Sequence, residues 1–87
     1  MKKPDKYYRL TSFYIAAFLL AKGYDLVGVE PTEQPRRFQF VFIDTPTRAK
    51  LLQVFNFGSD NVDEVMCDAR KLVAAIKTLK DKLYQSK

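Results

Sequence analysis

Arg36 and Arg37 stand side by side at the head of a strand-like run, Arg37 to Ile43, and are the residues best suited to gripping an anion. Guanidinium groups bond phosphate oxygens through a planar fork of donors. Tyr7, Tyr8 and Arg9 add two rings and a third cation. Basic and aromatic side chains presented together on a sheet hold the backbone and bases of single-stranded nucleic acids. The plainer alternative is that Phe38, Phe40 and Phe42 are core and the arginines are solvated. No ribonucleoprotein motif is matched, because the glycines that accompany its aromatics are absent. A second basic set, Arg70, Lys71, Lys77, Lys80 and Lys82, spreads around the last predicted helix. Docking in a major groove would want those contacts on one face.

That helix offers a different kind of site. Val62, Met66, Ala69, Val73, Ile76 and Leu83 recur at helical spacings, and Leu72 and Leu79 widen the stripe. The stripe covers the sheet or the second helix. If its end projects, Leu79, Leu83 and Tyr84 form an apolar surface that a second copy would cover in a symmetric dimer.

Catalysis has little to work with. The chain has no histidine and a single cysteine, Cys67. It therefore holds no histidine-based triad and no histidine or multi-cysteine zinc site within one copy. Gly23, Gly28 and Gly58 lie too far apart for a phosphate-cradling loop. Cys67 falls mid-helix beside Met66 and Asp68 and reads as a small apolar residue, since a reactive thiol wants a cationic setting. Asp44 is better explained as a helix cap than as an acid or base. Asp60, Asp63, Glu64 and Asp68 gather near one helix start but lack the alternating ligands and glycine of a calcium loop. The expectation is a protein that is not an enzyme, with no metal, cofactor or small-molecule substrate indicated.

Eighty-seven residues make one domain. Seven Phe and five Tyr, without Trp, supply large side chains for a core. The formal net charge of +5 favours contact with nucleic acid or another polyanion. The apolar run Phe13 to Ala21 is too short for a membrane span, which needs about 20 residues. Met1-Lys2-Lys3 begins like a signal peptide, but Pro4, Asp5, Lys6 and Arg9 interrupt it. With one free thiol, the expected location is a reducing cytoplasm.

The elements that must position these residues follow from spacing and punctuation. Residues 1–6 are polar and expected to be mobile. Tyr7 to Leu10 reads as a short strand. Thr11 and Ser12 cap a helix running to Lys22 and stopped by Gly23. Its apolar surface wraps most of the circumference, which predicts burial on two sides. Tyr24 to Glu30 is a strand, Pro31 to Pro35 a loop, and Arg37 to Ile43 a strand. There Phe38, Phe40 and Phe42 share one face, toward the first helix. Val41 and Ile43 make the other face partly apolar, as though something covers it. Asp44-Thr45-Pro46 starts a second helix that ends near Gly58. A last helix is expected from Val62 to Leu83 or Tyr84, about 33 Å long.

The run Thr11-Ser12-Phe13-Tyr14-Ile15-Ala16-Ala17-Phe18-Leu19-Leu20-Ala21-Lys22-Gly23 resembles a small prokaryotic family of unknown function. Its members carry a similar Phe-Tyr-x-Ala-x-Phe-Leu-Leu-Ala-Lys-Gly stretch. A segment like Phe40-Val41-Phe42-Ile43-Asp44-Thr45-Pro46 and a long final helix follow it. The resemblance extends from about Tyr8 to Tyr84. It implies the same element order and brings no catalytic residues.

The expected fold is α+β: a small antiparallel β-hairpin sheet of two strands, or three if Tyr7–Leu10 joins, packed against three helices in the order (β)-α-β-β-α-α. The leading function is a noncatalytic binding module acting on nucleic acid, or on a complex containing it, through Arg36, Arg37, Tyr7, Tyr8 and Arg9. The alternative is a protein-interaction or assembly module, a homodimer or a docking face, using Leu79, Leu83 and Tyr84.

Overall fold

The computed structural model describes residues 6–58 and 63–85. Strand β1 (Tyr7–Leu10) leads to helix α1 (Phe13–Ala21), strands β2 (Leu26–Pro31) and β3 (Phe38–Ile43), and helix α2 (Arg48–Phe57). A 3-10 turn (Asp63–Val65) precedes helix α3 (Ala69–Gln85). This is the α+β order expected, with Tyr7–Leu10 joining as a third strand. The tail expected to be mobile falls, apart from Lys6, outside the described residues.

The sheet order is β1-β3-β2, antiparallel throughout. The strand that is apolar on both faces takes the centre: Phe40, Val41 and Phe42 are buried in succession. Tyr8 and Leu10 of β1 lie opposite Phe42 and Phe40, and Leu26 and Val29 of β2 flank the same pair. An irregularity between Leu26 and Gly28 shifts the β2 register by one residue. Phe40 and Phe42 join Ala16, Ala17, Phe18, Leu19, Leu52 and Leu79 in one core. Phe13 sets its ring edge-on to Phe40 at 6.0 Å.

The opposite sheet face carries Tyr7, Arg9, Glu30, Gln39, Val41 and Ile43. Ile43 is 42% exposed, yet Val41 is only 2% exposed. Arg9 is the cross-strand neighbour of Val41 on this face. Arg9 Nε donates to Glu30 Oε1 across the central strand at 3.3 Å, and Gln39 Nε2 donates to the same oxygen at 3.2 Å. The stems of these side chains lie along the sheet and shelter what is beneath.

Helix α1 begins where Ser12 Oγ accepts from the Ile15 amide at 3.3 Å. It ends in a paired closure: Gly23 N donates to Leu20 O and Tyr24 N to Leu19 O. This needs a left-handed residue, and Gly23 supplies it at φ 97°. Residues 16 to 19 are all buried, against the sheet and alongside α3. A molecule 20 Å deep along its shortest axis is one sheet layer and one helical layer.

Helix α2 starts later than Pro46 suggested. Arg48 N donates to Thr45 O, so Pro46 occupies the second position of a turn, a place its fixed φ favours. At the other end Gly58 N donates to Val54 O, and a Cβ at Gly58 would stand 2.5 Å from that oxygen. Asp44 is no cap of the helix. Its carboxylate takes both Nε and Nη2 of Arg48, at 3.0 and 3.2 Å, while that guanidinium lies 3.7 Å above the Tyr8 ring. The clamp ties α2 to β1.

The Arg48 bond holds the Asp44 carboxyl below its ordinary range, against an opposing effect of burial. A depressed folded-state pKa stabilises above the unfolded value of about 3.9, and the gain is lost as pH falls through the folded value. Asp44→Asn should therefore cost about 0.5–1 kcal/mol at neutral pH. Urea denaturation of both proteins across pH should show that difference closing below about pH 4.

The last helix is shorter than its stripe. The 3-10 turn stands apart, residues 66–68 are irregular, and α3 has 17 residues, about 25 Å. Two interactions, one local and one distant in the chain, make the break. Asp68 Oδ1 accepts from the Arg70 amide at 2.8 Å, opening a new helix. Lys22 Nζ donates to Met66 O at 2.9 Å, drawing that carbonyl out of any helical ladder. Cys67 consequently lies in the connection, half-buried, and not mid-helix. Val62, the expected start, lies outside the described residues.

Candidate nucleic-acid interface

The β2–β3 connection is held by its own polar groups. Thr32 N donates to Arg37 O at 3.0 Å and Arg37 N to Gln34 O at 3.2 Å. The Thr32 hydroxyl lies 2.9 Å from Arg37 O and accepts from Gln34 N at 3.2 Å. Closing so tight a turn forces Arg36 to φ 64°, the left-handed region that a residue with a Cβ enters at a cost of roughly 1–2 kcal/mol. No other non-glycine residue described has positive φ.

Arg36 and Arg37 thereby reach the rim of a groove of about 450 Å³. Three distant segments build it: Thr11 and Phe13, then Arg36 to Phe38 with Phe40, then Lys80, Leu83 and Tyr84 of α3. The floor is aromatic and aliphatic, the rim carries three cations, and among the described residues no carboxylate lines it. Tyr84, 80% exposed, stands at its edge. A second depression, of about 510 Å³, shares Thr11 and Arg37 and continues along residues 31–34, with Glu33 in its wall. The two together make an extended track past Arg37.

The electrostatics single out this place. Of the five arginines, Arg9, Arg48 and Arg70 each bond a carboxylate. Among the described residues Arg36 and Arg37 have no acidic partner. Arg37 Nη1 donates only to the neutral Gln34 Oε1, at 3.3 Å.

The other expected members of the site lie elsewhere. In the antiparallel register Tyr7 faces Ile43 and Tyr8 faces Phe42. Both tyrosines are thus at the end of β3 remote from Arg37, about 17–20 Å along the strand. Tyr8 points to the core side and supports Arg48. Tyr7 and Arg9 share the opposite face, with the guanidinium 5.6 Å from the ring centroid. The structure keeps Arg36 and Arg37 together and separates Tyr7, Tyr8 and Arg9 from them.

The apolar trio of the last helix also divides. Leu79 has no exposure at all, and its own chain covers it. The condition for needing a second copy, that this end of the helix projects from the core, is not met at Leu79: α3 packs along α1 and turns Leu72, Ile76, Leu79 and Leu83 to the core, while Met66, Ala69 and Val73 of the stripe are exposed. Leu83 is half-buried against that core and, with Tyr84, lines the groove. Lys80, read from sequence as one of a scattered basic set, joins them because positions 80, 83 and 84 share a helix face.

Asp68 accepts from Arg70 Nη2 at 3.0 Å, which holds its carboxyl below the usual range. Asp60 and the side chain of Glu64 lie outside the described residues. Among those described, no group of three or more acidic, histidine or cysteine residues is placed to hold a metal ion. No helix among them is long and apolar enough to cross a membrane.

Fold and groove define a small α+β domain that presents a cation-rimmed, aromatic-floored track at one end of a three-stranded sheet. The chain belongs to the family described as domain of unknown function DUF5659, whose model matches residues 5–85. No curated protein and no solved structure matches it.

Proposed function

We propose that this domain is a noncatalytic module that binds single-stranded nucleic acid, alone or within a complex, along the track past Arg37. The observation that carries the reading is the meeting of both carboxylate-free arginines and Lys80 around an aromatic floor. Arg36, Arg37 and Lys80 take phosphates. Tyr84 offers a ring face to a base, an interaction worth about 1–3 kcal/mol per base and tolerant of sequence. A groove of this kind suits an unpaired strand, whose bases are free to leave the stack. The lone, half-buried Cys67 fits a reducing compartment, the cytoplasm.

A protein-interaction role is the second reading. Leu83 and Tyr84 in the same groove favour it, and it would use an acidic, apolar peptide in place of the strand. Amide shift mapping with a short oligothymidylate decides between them. The nucleic-acid reading expects shifts concentrated at Thr11, Arg37, Lys80 and Tyr84. Shifts scattered over every lysine, or none, would discard it.

A further inference from the structure

A second concavity, of about 640 Å³, lies between α2 and the α1–β2 corner. Its α2 wall is one helical face: Thr47, Lys50, Leu51 and Val54 follow the spacing i, i+3, i+4, i+7. That face is polar at its beginning and apolar at its end. Lys22 and Asp25 belong to the facing wall, where Ile43 N donates to Asp25 O at 3.0 Å.

The polar end holds a chain of hydroxyls. Tyr24 OH is 2.9 Å from Thr47 Oγ1, which is 3.1 Å from Thr45 Oγ1. Three hydroxyls carry three protons, and two suffice for the internal bonds. One proton remains to donate outward. Lys50 brings an ammonium group to the same lining. Lys22 bonds Met66 O and keeps two further donors. Against two ammonium groups there is one carboxylate, Asp25. Donors at one end of the α2 wall and Leu51 and Val54 at the other are the requirements for an amphipathic anion.

We propose that this cleft is a binding site for a small organic anion with an apolar body, such as an arylcarboxylate. The headgroup accepts from Lys50 and from the hydroxyl chain, and the body lies on Leu51 and Val54. The site is separate from the nucleic-acid track, since the two linings share no residue.

4-Ethylbenzoate is the probe, titrated into the full chain with amide shifts as the readout. A molecule of this size should bind in the millimolar range. Saturable shifts are expected at Gly23, Thr45, Thr47 and Lys50, with Arg37 and Lys80 unmoved. Lys50→Gln should weaken binding about tenfold, and 4-ethylbenzyl alcohol, the neutral analogue, should bind weaker by a similar factor. Lys50 is exposed, so its replacement leaves folding intact. Shifts that do not saturate, that fall in the groove beside Arg37, or that are the same for the alcohol or for Lys50→Gln would overturn the proposal.

Discussion

Leu79→Glu should leave the chain unfolded rather than separate a dimer. A domain of this length has a total stability of about 4–13 kcal/mol. Leu79 is completely enclosed, together with Phe42 and Leu19 the largest side chains that are. Truncating such a leucine to alanine costs about 2–5 kcal/mol through reduced burial and the cavity left behind. Glutamate adds an unpaired carboxylate with no buried partner, a further cost of several kcal/mol. Leu83→Glu is milder, because Leu83 stays partly open to solvent. Far-UV circular dichroism and urea denaturation should show no transition for Leu79→Glu and a lowered midpoint for Leu79→Ala. A Leu79→Glu protein that folds with half the wild-type mass in solution would return Leu79 to an intermolecular interface.

The second large effect is of opposite sign for stability and for binding. Arg36→Gly relieves a left-handed residue and should raise stability by about 0.5–1 kcal/mol, since glycine adopts that conformation freely. The same change removes a cation from the rim of the track. Combined with Arg37→Ala, it should weaken binding to a single strand about ten- to a hundredfold. The slope of log affinity against log salt should flatten by about 1.4, roughly 0.7 for each phosphate no longer neutralised. Backbone strain retained at a charged residue is the pattern expected where function holds a side chain in place. Loss of stability in Arg36→Gly would show that the turn needs arginine for its own structure. Unchanged affinity and slope in the double variant would take both arginines out of the site.

Local signals read well from sequence where the chain's own spacing encodes them. The alternation of Phe38, Phe40 and Phe42, the hydroxyl of Ser12 and the left-handed Gly23 each act within a few residues and stand where expected. The break at residues 66–68 was hidden because the apolar stripe runs on through Met66. What interrupts it is a cap from Asp68 and a bond from Lys22, which is 44 residues away in the chain. The groove was hidden for the same reason. Its walls come from segments near positions 11, 37 and 82, and no periodicity links them. Tyr7 and Tyr8 were grouped with Arg36 by composition. Antiparallel pairing, which places Tyr7 opposite Ile43, sends them to the other end.

Binding of a single strand at the carboxylate-free rim is open to one decisive titration. A labelled oligothymidylate is followed by fluorescence anisotropy as wild-type protein is added, at a low and at a near-physiological salt concentration. Saturable binding at low salt should weaken as salt rises, with a slope of about −2 for three neutralised phosphates. The matching duplex should respond more weakly. No binding at low salt, or binding indifferent to salt, would show that the rim is not a nucleic-acid site.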